Sequence, residues 1–293
     1  MRVTQNITYN TYINDIMRRQ ESLYKLSKQL STGKAINAPS DDPVKADKIL
    51  TSRSILNGFE QYERNMDSAL DYLNTSEDSL SSVKDVIMTL QELATTAATG
   101  TSDATSRANT AVTVNQLYQQ LLTVANTNYD NKYIFAGYET GTSPFDQSGA
   151  YSGDANSYQI RINSSGYIAV GVNGGEVFKG TGGGVDIFQT VSDLATALNN
   201  NDSAGIQAAG ANLESALQQV SNSVSDIGGR ITRITSAKDD LSSAKLDIET
   251  TIATLEDADI AKVISELTLG QTALEAAMSS AGKVISVNIF DYL

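Results

Sequence analysis

The sequence predicts a mostly α-helical protein in which two helical halves form an elongated antiparallel coiled-coil rod, with a small β domain inserted between them. Two heptad tracts, one in each half, and the different composition of the stretch between them carry this prediction. Apolar residues that repeat every seven positions line the seam of a coiled coil. The predicted intrachain seam consists of Phe59, Met66, Leu73, Leu80 and Ile87 in the first half and of Leu213, Val220, Ile227, Ile234, Leu241, Ile248 and Leu255 in the second.

The first predicted element is a helix over residues 13–31, in which Ile16, Leu23 and Leu30 stand seven positions apart. This helix is expected to end near Gly33, because glycine readily adopts the left-handed conformation that commonly follows the last helical residue. The helix therefore presents one apolar stripe and needs a partner to cover it.

A long second helix is expected to begin at Asp42-Pro43 and to continue to about Ala98. The aspartate can cap free backbone N–H groups, and proline at the first helical position has no N–H to leave unpaired. At 1.5 Å per residue this helix would be about 80 Å long, which is typical of a rod rather than of a compact domain. A shorter helix follows, with its apolar face running from Ala111 to Ala125.

The middle of the chain, residues 129–185, has a different character and holds nine of the nineteen aromatic residues. Two short alternating runs at 158–162 and 167–170 are separated by Asn-Ser-Ser-Gly, which predicts a β-hairpin. Asn173-Gly174 predicts a further turn. The spacing of apolar residues in 186–199 then predicts an amphipathic helix that leads back to the rod.

The apolar register slips after the second heptad tract. A new set with spacing seven begins at Ile260 and continues through Leu267 and Leu274, and Val284 accompanies it. A break near residues 256–259 is therefore expected, because one uninterrupted helix would keep its seam on one face.

These elements divide the chain into five regions. They are an N-terminal helical layer (1–43), the N-terminal half of the rod (44–128), a β-rich outward domain (129–185), the C-terminal half of the rod (186–256) and a C-terminal helical layer (257–293). The terminal helices either pack on each other or are completed by neighbouring subunits. We favour the second alternative, because two short helices bury little apolar surface alone. The predicted subunit interface is Ile16, Leu23, Leu30, Ile260, Leu267, Leu274 and Val284.

Composition excludes several classes of function. The formal net charge of −13 and a pI near 4.4 disfavour a nucleic-acid ligand or an anionic membrane, both of which need a basic surface. No apolar run approaches the length that spans a bilayer, and the first residues lack the apolar core of a secretory signal peptide. By themselves these features indicate a cytoplasmic protein. Residues 1–53 are nevertheless basic, with nine Lys/Arg against five Asp/Glu.

No catalytic, cofactor-binding or metal-binding residue is predicted. The chain has no cysteine and no histidine, which removes thiolate chemistry, the commonest general base and the commonest transition-metal ligand. The glycine-rich run at 180–184 lacks the lysine of a phosphate-binding loop and predicts a flexible connection. Glu256, Asp257 and Asp259 could bind a metal, but solvation or pairing with the basic N-terminal segment is the favoured interpretation.

Two segments resemble the flagellin superfamily. Residues 30–43, LSTGKAINAPSDDP, are similar to the LSSGxxINxAxDD loop of flagellins, and residues 255–261, LEDADIA, resemble a segment near the opposite end of those proteins. The opening MRVTQ, the stretch NKYIFAG at 131–137 and the closing NIFDYL look like a hook-associated member of the family rather than a filament flagellin. The resemblance covers roughly residues 1–135 and 205–293.

The resemblance implies a structural role without enzymatic activity. It implies a homo-oligomeric ring that connects the hook, through hook-associated protein 1, to the flagellin filament. The terminal helices would line the axial channel, and the β domain would face outward. Such proteins are exported through the flagellar type III apparatus without a cleaved signal, which replaces the cytoplasmic expectation. An export chaperone would protect the C-terminal helix at Leu267, Leu274 and Val284.

Three alternatives stand beside this interpretation. A filament-forming flagellin is the nearest, and the terminal sequences argue against it. A flagellin that carries a zinc-protease motif is excluded, because the chain has no histidine. A cytoplasmic coiled-coil scaffold predicts normal motility when the gene is removed.

Overall fold

The computed structural model describes residues 2–99 and 102–290, and for residues 2–6, 8 and 284–290 it describes the helical backbone alone. Helices dominate this part of the chain, and the strands are short. The elements in chain order are α1 (Arg2–Thr32), α2 (Pro43–Ala98), α3 (Ala104–Ala125), β1 (Asn128–Tyr129), β2 (Lys132–Tyr133), β3 (Gln159–Arg161), β4 (Tyr167–Ala169), α4 (Gly174–Lys179), α5 (Ile187–Asn199), α6 (Ser203–Glu256) and α7 (Ile260–Phe290).

The chain forms two compact units. The terminal unit combines the chain up to Gly58 with the chain from Ser243 onward, and the central unit spans Phe59–Ser242. The long helices α2 and α6 each contribute to both units. The predicted mostly α-helical fold with short strands in the middle is confirmed.

The helix boundaries follow the predicted local signals. Gly33 adopts φ +71° directly after α1. Asp42 caps α2, since its carboxylate accepts hydrogen bonds from the backbone N–H groups of Val44 and Lys45 at 3.1 and 3.0 Å. The prediction that the first helix begins at residue 13 is wrong, because α1 begins at Arg2. Neither proline nor glycine interrupts residues 2–32, so nothing in the backbone stops the helix earlier.

In the central unit, α2 and α6 run antiparallel to each other. Ala94 near the end of α2 lies next to Gly210 near the start of α6, where a Cβ on the glycine would stand 4.0 Å from the alanine Cβ. Earlier in α2, Asp67 pairs with Lys238, which comes later in α6. The two contacts occur in opposite chain order on the two helices, which fixes the antiparallel direction.

Most of the predicted seam lies in the core of the central unit. Eight members are almost completely buried, whereas four others are only partly buried. The buried ones are Met66, Leu73, Leu80, Ile87, Leu213, Val220, Ile227 and Ile234. The partly buried ones are Phe59, Leu241, Ile248 and Leu255. Burying large aliphatic side chains contributes about 1.5–3 kcal/mol each, so this core is the main source of stability in the unit.

The middle of the chain is organised around an aromatic cluster rather than a sheet. Phe135, Phe145, Phe178 and Phe188 contact one another with ring centroids 5.2–5.9 Å apart. Helix α5 packs on α3 beside this cluster. The described part of this stretch contains only two two-stranded sheets, of which β3–β4 is the predicted hairpin.

One predicted turn in this region is wrong. Asn173-Gly174 starts a helix instead, because the Asn173 side chain accepts a hydrogen bond from the backbone N–H of Gly175 and caps α4. Asparagine serves turns and helix caps equally well, so the dipeptide alone does not separate the two. The glycine-rich run begins at Gly180, whose φ of +64° ends α4.

Candidate functional site

The two segments that carry the family resemblance meet in the terminal unit. The backbone N–H of Ala35 donates to the carbonyl of Glu256 at 2.7 Å, and the N–H of Ala258 donates to the carbonyl of Gly33 at 2.9 Å. Lys34 and Asp257 form the antiparallel bridge between them. Helix α6 ends at Glu256 and α7 begins at Ile260, so the predicted break near residues 256–259 is confirmed.

The loop between α1 and α2 is held by its own polar side chains. The Asp41 carboxylate accepts hydrogen bonds from the backbone N–H groups of Asn37 and Ala38 at 3.0 and 2.9 Å. These two bonds hold the pKa of the Asp41 carboxyl below its ordinary value. The Asn37 amide donates to the carbonyl of Lys34 at 2.8 Å. The motif residues therefore shape the loop that meets the α6–α7 break.

Glu256 is the centre of this meeting point. Its carboxylate accepts hydrogen bonds from Nη2 of Arg53 at 2.8 and 2.7 Å, and Nζ of Lys34 lies 2.7 Å from its Oε1. The Glu256 side chain is only 10% exposed, whereas those of Lys34 and Arg53 are 44% and 47% exposed. Burial acts to raise the pKa of Glu256, but the two cations outweigh it and lower the pKa. Glu256 thus ties the α1–α2 loop, α2 and the end of α6 together.

The other two acids of this cluster, Asp257 and Asp259, differ from Glu256 in their surroundings. Asp259 caps α7, because its carboxylate accepts a hydrogen bond from the backbone N–H of Lys262 at 3.1 Å. Asp257 is exposed. Within residues 2–99 and 102–290, no group of three or more potential ligands is placed to hold a metal ion. Nor does any helix in those ranges combine the length and the apolar character that a bilayer crossing needs.

Helices α1 and α7 pack on each other within one chain. Gly270 lies against Leu23, and a Cβ there would stand 2.8 Å from the Leu23 Cδ2 atom, so the glycine allows a close approach of the two helices. The two terminal helices therefore pair within the single molecule, which is the alternative that we did not favour. Completion of this layer by neighbouring subunits stays a prediction.

The predicted interface residues are only partly covered by this pairing. Ile16, Leu23, Leu30, Leu267 and Leu274 are half-buried. Ile260 is 40% exposed. The side chain of Val284 lies outside the described residues.

Further apolar side chains of the same helices face solvent. Tyr24 and Leu269 are each 71% exposed and Met17 is 61% exposed. Exposed apolar side chains concentrated on paired helices are typical of surfaces that bind another protein.

Sequence reasoning identified the acids of the site but not their partners. The sequence favoured either solvation of the acidic cluster or its pairing with the basic segment 1–53, and nothing distinguished Lys34 and Arg53 from the other seven basic residues. It also missed Arg107, which is 6% exposed in the central unit. Its guanidinium donates to the carbonyl of Ala97 at 2.9 Å and to the side chain of Asn201 at 2.5 Å.

The comparisons with known proteins agree with the resemblance of the two segments. Residues 3–140 match the bacterial flagellin N-terminal helical region, and residues 211–293 match the bacterial flagellin C-terminal helical region. Flagellar hook-associated protein 3 of Salmonella typhimurium is 26% identical over 313 residues, which cover 99% of this chain and 99% of that protein. Flagellin of Bacillus subtilis is 24% identical and covers 95% of this chain and 94% of its own length.

Solved structures share the fold. A flagellar hook-associated protein from Vibrio parahaemolyticus superposes with a TM-score of 0.69 at 19% identity, and the match covers 74% of this chain and 100% of that one. The flagellar junction protein FlgL from Legionella pneumophila superposes with a TM-score of 0.61 at 18% identity, covering 72% and 100%. Because the two flagellin models together match well over half of the chain, this protein belongs to the flagellin superfamily of structural proteins of the bacterial flagellum.

Proposed function

We propose that the protein is a junction subunit that connects the flagellar hook to the filament, as the names of its hook-associated relatives indicate for those proteins. The observation that carries the proposal is the match to hook-associated protein 3 over 99% of both chains. The five regions predicted from the sequence fit this role, with the terminal helices lining a channel and the residues 129–185 facing outward.

The partners follow from the same role. Copies of the chain form a ring, with hook-associated protein 1 on the hook side and flagellin on the filament side. The exposed apolar side chains of α1 and α7 support this assignment, because removing Met17, Tyr24 and Leu269 from water would lower the free energy. Neighbouring subunits would cover them, and the half-buried stripe from Ile16 to Leu274 would be completed at the same time.

Export precedes assembly in this proposal. The subunit leaves the cell through the flagellar export apparatus without a cleaved signal peptide and functions outside the cell. An export chaperone covers the C-terminal helix before export and binds Leu267, Leu274 and Val284. The apolar face of α7 supports this step, because an unpaired amphipathic helix would otherwise aggregate.

The position of the protein on intact flagella tests the junction role. Antibody labelling in electron micrographs is expected at the base of the filament alone, and deletion of the gene is expected to release flagellin into the medium. Labelling along the whole filament would instead identify a filament-forming flagellin. Normal motility after deletion would reject both roles and favour a scaffold unrelated to the flagellum.

A matched pair of variants tests the assembly surface separately. Leu274→Asp places a charge in the half-buried face of α7 and is expected to abolish ring formation. Thr232→Asp adds the same charge at an exposed position of α6 in the central unit, away from the terminal helices, and is expected to assemble normally. Normal filament formation by the Leu274 variant would contradict the role of this face in assembly. It would leave the junction role itself intact if labelling still places the protein at the base of the filament.

A further inference from the structure

The central unit contains a cleft of about 380 Å³, to which the proposed junction role assigns no ligand. Four tyrosines line it, together with a small number of polar side chains. The lining residues that matter here are Tyr72, Tyr129, Tyr138, Tyr158, Asp130 and Lys132. The volume falls in the range of about 300–1,000 Å³ that is typical of small-molecule sites, and such sites combine aromatic walls with few polar groups.

The inner wall of the cleft is rigid. The Tyr72 hydroxyl donates a hydrogen bond to the carbonyl of Ile134 at 2.8 Å, and burial raises the pKa of this phenol to about 12. The Tyr72 and Tyr129 rings meet edge to face, with centroids 6.4 Å apart and planes at 86°. Both rings are therefore held in place before any ligand arrives.

The outer wall is exposed but its backbone is fixed. Tyr138 is 58% exposed, and Tyr158 is 48% exposed. The backbone N–H of Tyr138 donates to the Asp154 carboxylate at 3.0 Å. Gly137 precedes it with φ +71°, and a Cβ there would stand 2.0 Å from that carboxylate, so only glycine permits this contact. Tyr138 thus presents its ring to solvent from a position that the fold fixes.

Polar groups of both charges surround the aromatic walls. Asp130 and Lys132 are exposed on the β1–β2 hairpin, whose turn residues Asp130 and Asn131 have φ of +50° and +59°. Ser68 and Thr140 add hydroxyl groups to the lining. The lining therefore offers hydrogen-bond donors and acceptors next to flat apolar ring faces.

We propose that this cleft binds a neutral carbohydrate. A sugar ring has an apolar face of C–H groups and an edge of hydroxyl groups. The first matches the phenol faces of Tyr138 and Tyr158, and the second matches the hydroxyl, ammonium and carboxylate groups at the rim. A purely apolar ligand could not form hydrogen bonds with those rim groups, whereas the hydroxyl groups of a sugar can both donate to them and accept from them. The proposal concerns the central unit alone and does not depend on the junction role.

Titration of the full-length protein with four soluble hexasaccharides tests the proposal. Cellohexaose, maltohexaose, mannohexaose and chitohexaose are added to protein with 13C-labelled tyrosine rings, and the ring resonances are followed by NMR. At least one sugar is expected to bind saturably and to shift the cleft tyrosines. Decaproline is titrated in parallel, because aromatic grooves also bind proline-rich peptides.

Exposed tyrosines provide the variant and its control. The double variant Tyr138→Ala, Tyr158→Ala is expected to bind the sugar at least about tenfold more weakly, which corresponds to about 1.4 kcal/mol. Tyr167→Ala removes an equally exposed tyrosine that does not line the cleft and is expected to leave the affinity unchanged. Absence of binding by all four sugars, binding of decaproline alone, or full affinity of the double variant would each overturn the proposal.

Discussion

Replacement of Glu256 by glutamine is expected to loosen the meeting point of the loop and the α6–α7 break. The substitution keeps the size of the side chain but removes the negative charge that Lys34 and Arg53 share. Breaking a fully buried ion pair costs about 3–5 kcal/mol. Both cations are nearly half exposed here, so water compensates for much of the loss, and we expect about 1–2 kcal/mol.

Amide hydrogen exchange measures this effect where it occurs. The N–H groups of Ala35 and Ala258 donate hydrogen bonds across the meeting point, so their protection reports its opening. A loss of about 1–2 kcal/mol in the free energy of this opening corresponds to amide exchange that is about 5–30 times faster. The control is Glu266→Gln, because this acid makes only an exposed contact of 3.9 Å with Lys262 and the substitution is expected to change nothing.

The pH dependence gives an independent check. The pKa of Glu256 is lowered from its ordinary value of 4.5, so its stabilising effect is complete above that pH and is lost as the pH falls through the lowered value. Protection of Ala35 in the native protein is therefore expected to decrease at acidic pH, whereas the glutamine variant lacks this component. Equal protection in the variant and the native protein at neutral pH would refute the reasoning.

Three further substitutions test the packing of single residues. Gly229→Ala, in an exposed and open part of α6, is expected to raise stability by about 0.5–1 kcal/mol in denaturant titrations. Gly270→Leu is expected to push against Leu23, to cost about 1–3 kcal/mol and to increase exchange in α7; unchanged exchange would contradict the close approach. Arg107→Met removes the buried guanidinium and its hydrogen bonds to the Ala97 carbonyl and the Asn201 side chain, at an expected cost of about 2–3 kcal/mol in thermal unfolding.

Features that depend on local chemistry could be predicted from the sequence. The cap at Asp42, the left-handed glycine at position 33 and the break after Glu256 each follow from residues within one or two helical turns. The buried part of the seam also followed from its heptad spacing, because a period of seven selects one face of a helix.

Features that depend on distant contacts could not be predicted. Lys34 and Arg53 become the partners of Glu256 only after the chain brings them together across more than half of its length. The cap at Asn173 is decided by competition between helix and turn, which the local sequence leaves balanced. The tyrosine cleft joins α2 to two hairpins, and no sequence motif indicates that arrangement.

The pairing of α1 with α7 has a consequence for the order in which the protein folds. The central unit contains all of its own segments and can form as soon as residue 242 is present. The terminal unit must instead wait for the last helix, because α7 follows the central unit in the chain. The folded central unit already holds α2 and α6 side by side, so only the segments beyond it remain to be brought together. A chain that emerges with its N-terminus first would therefore form the pairing between its two terminal helices last.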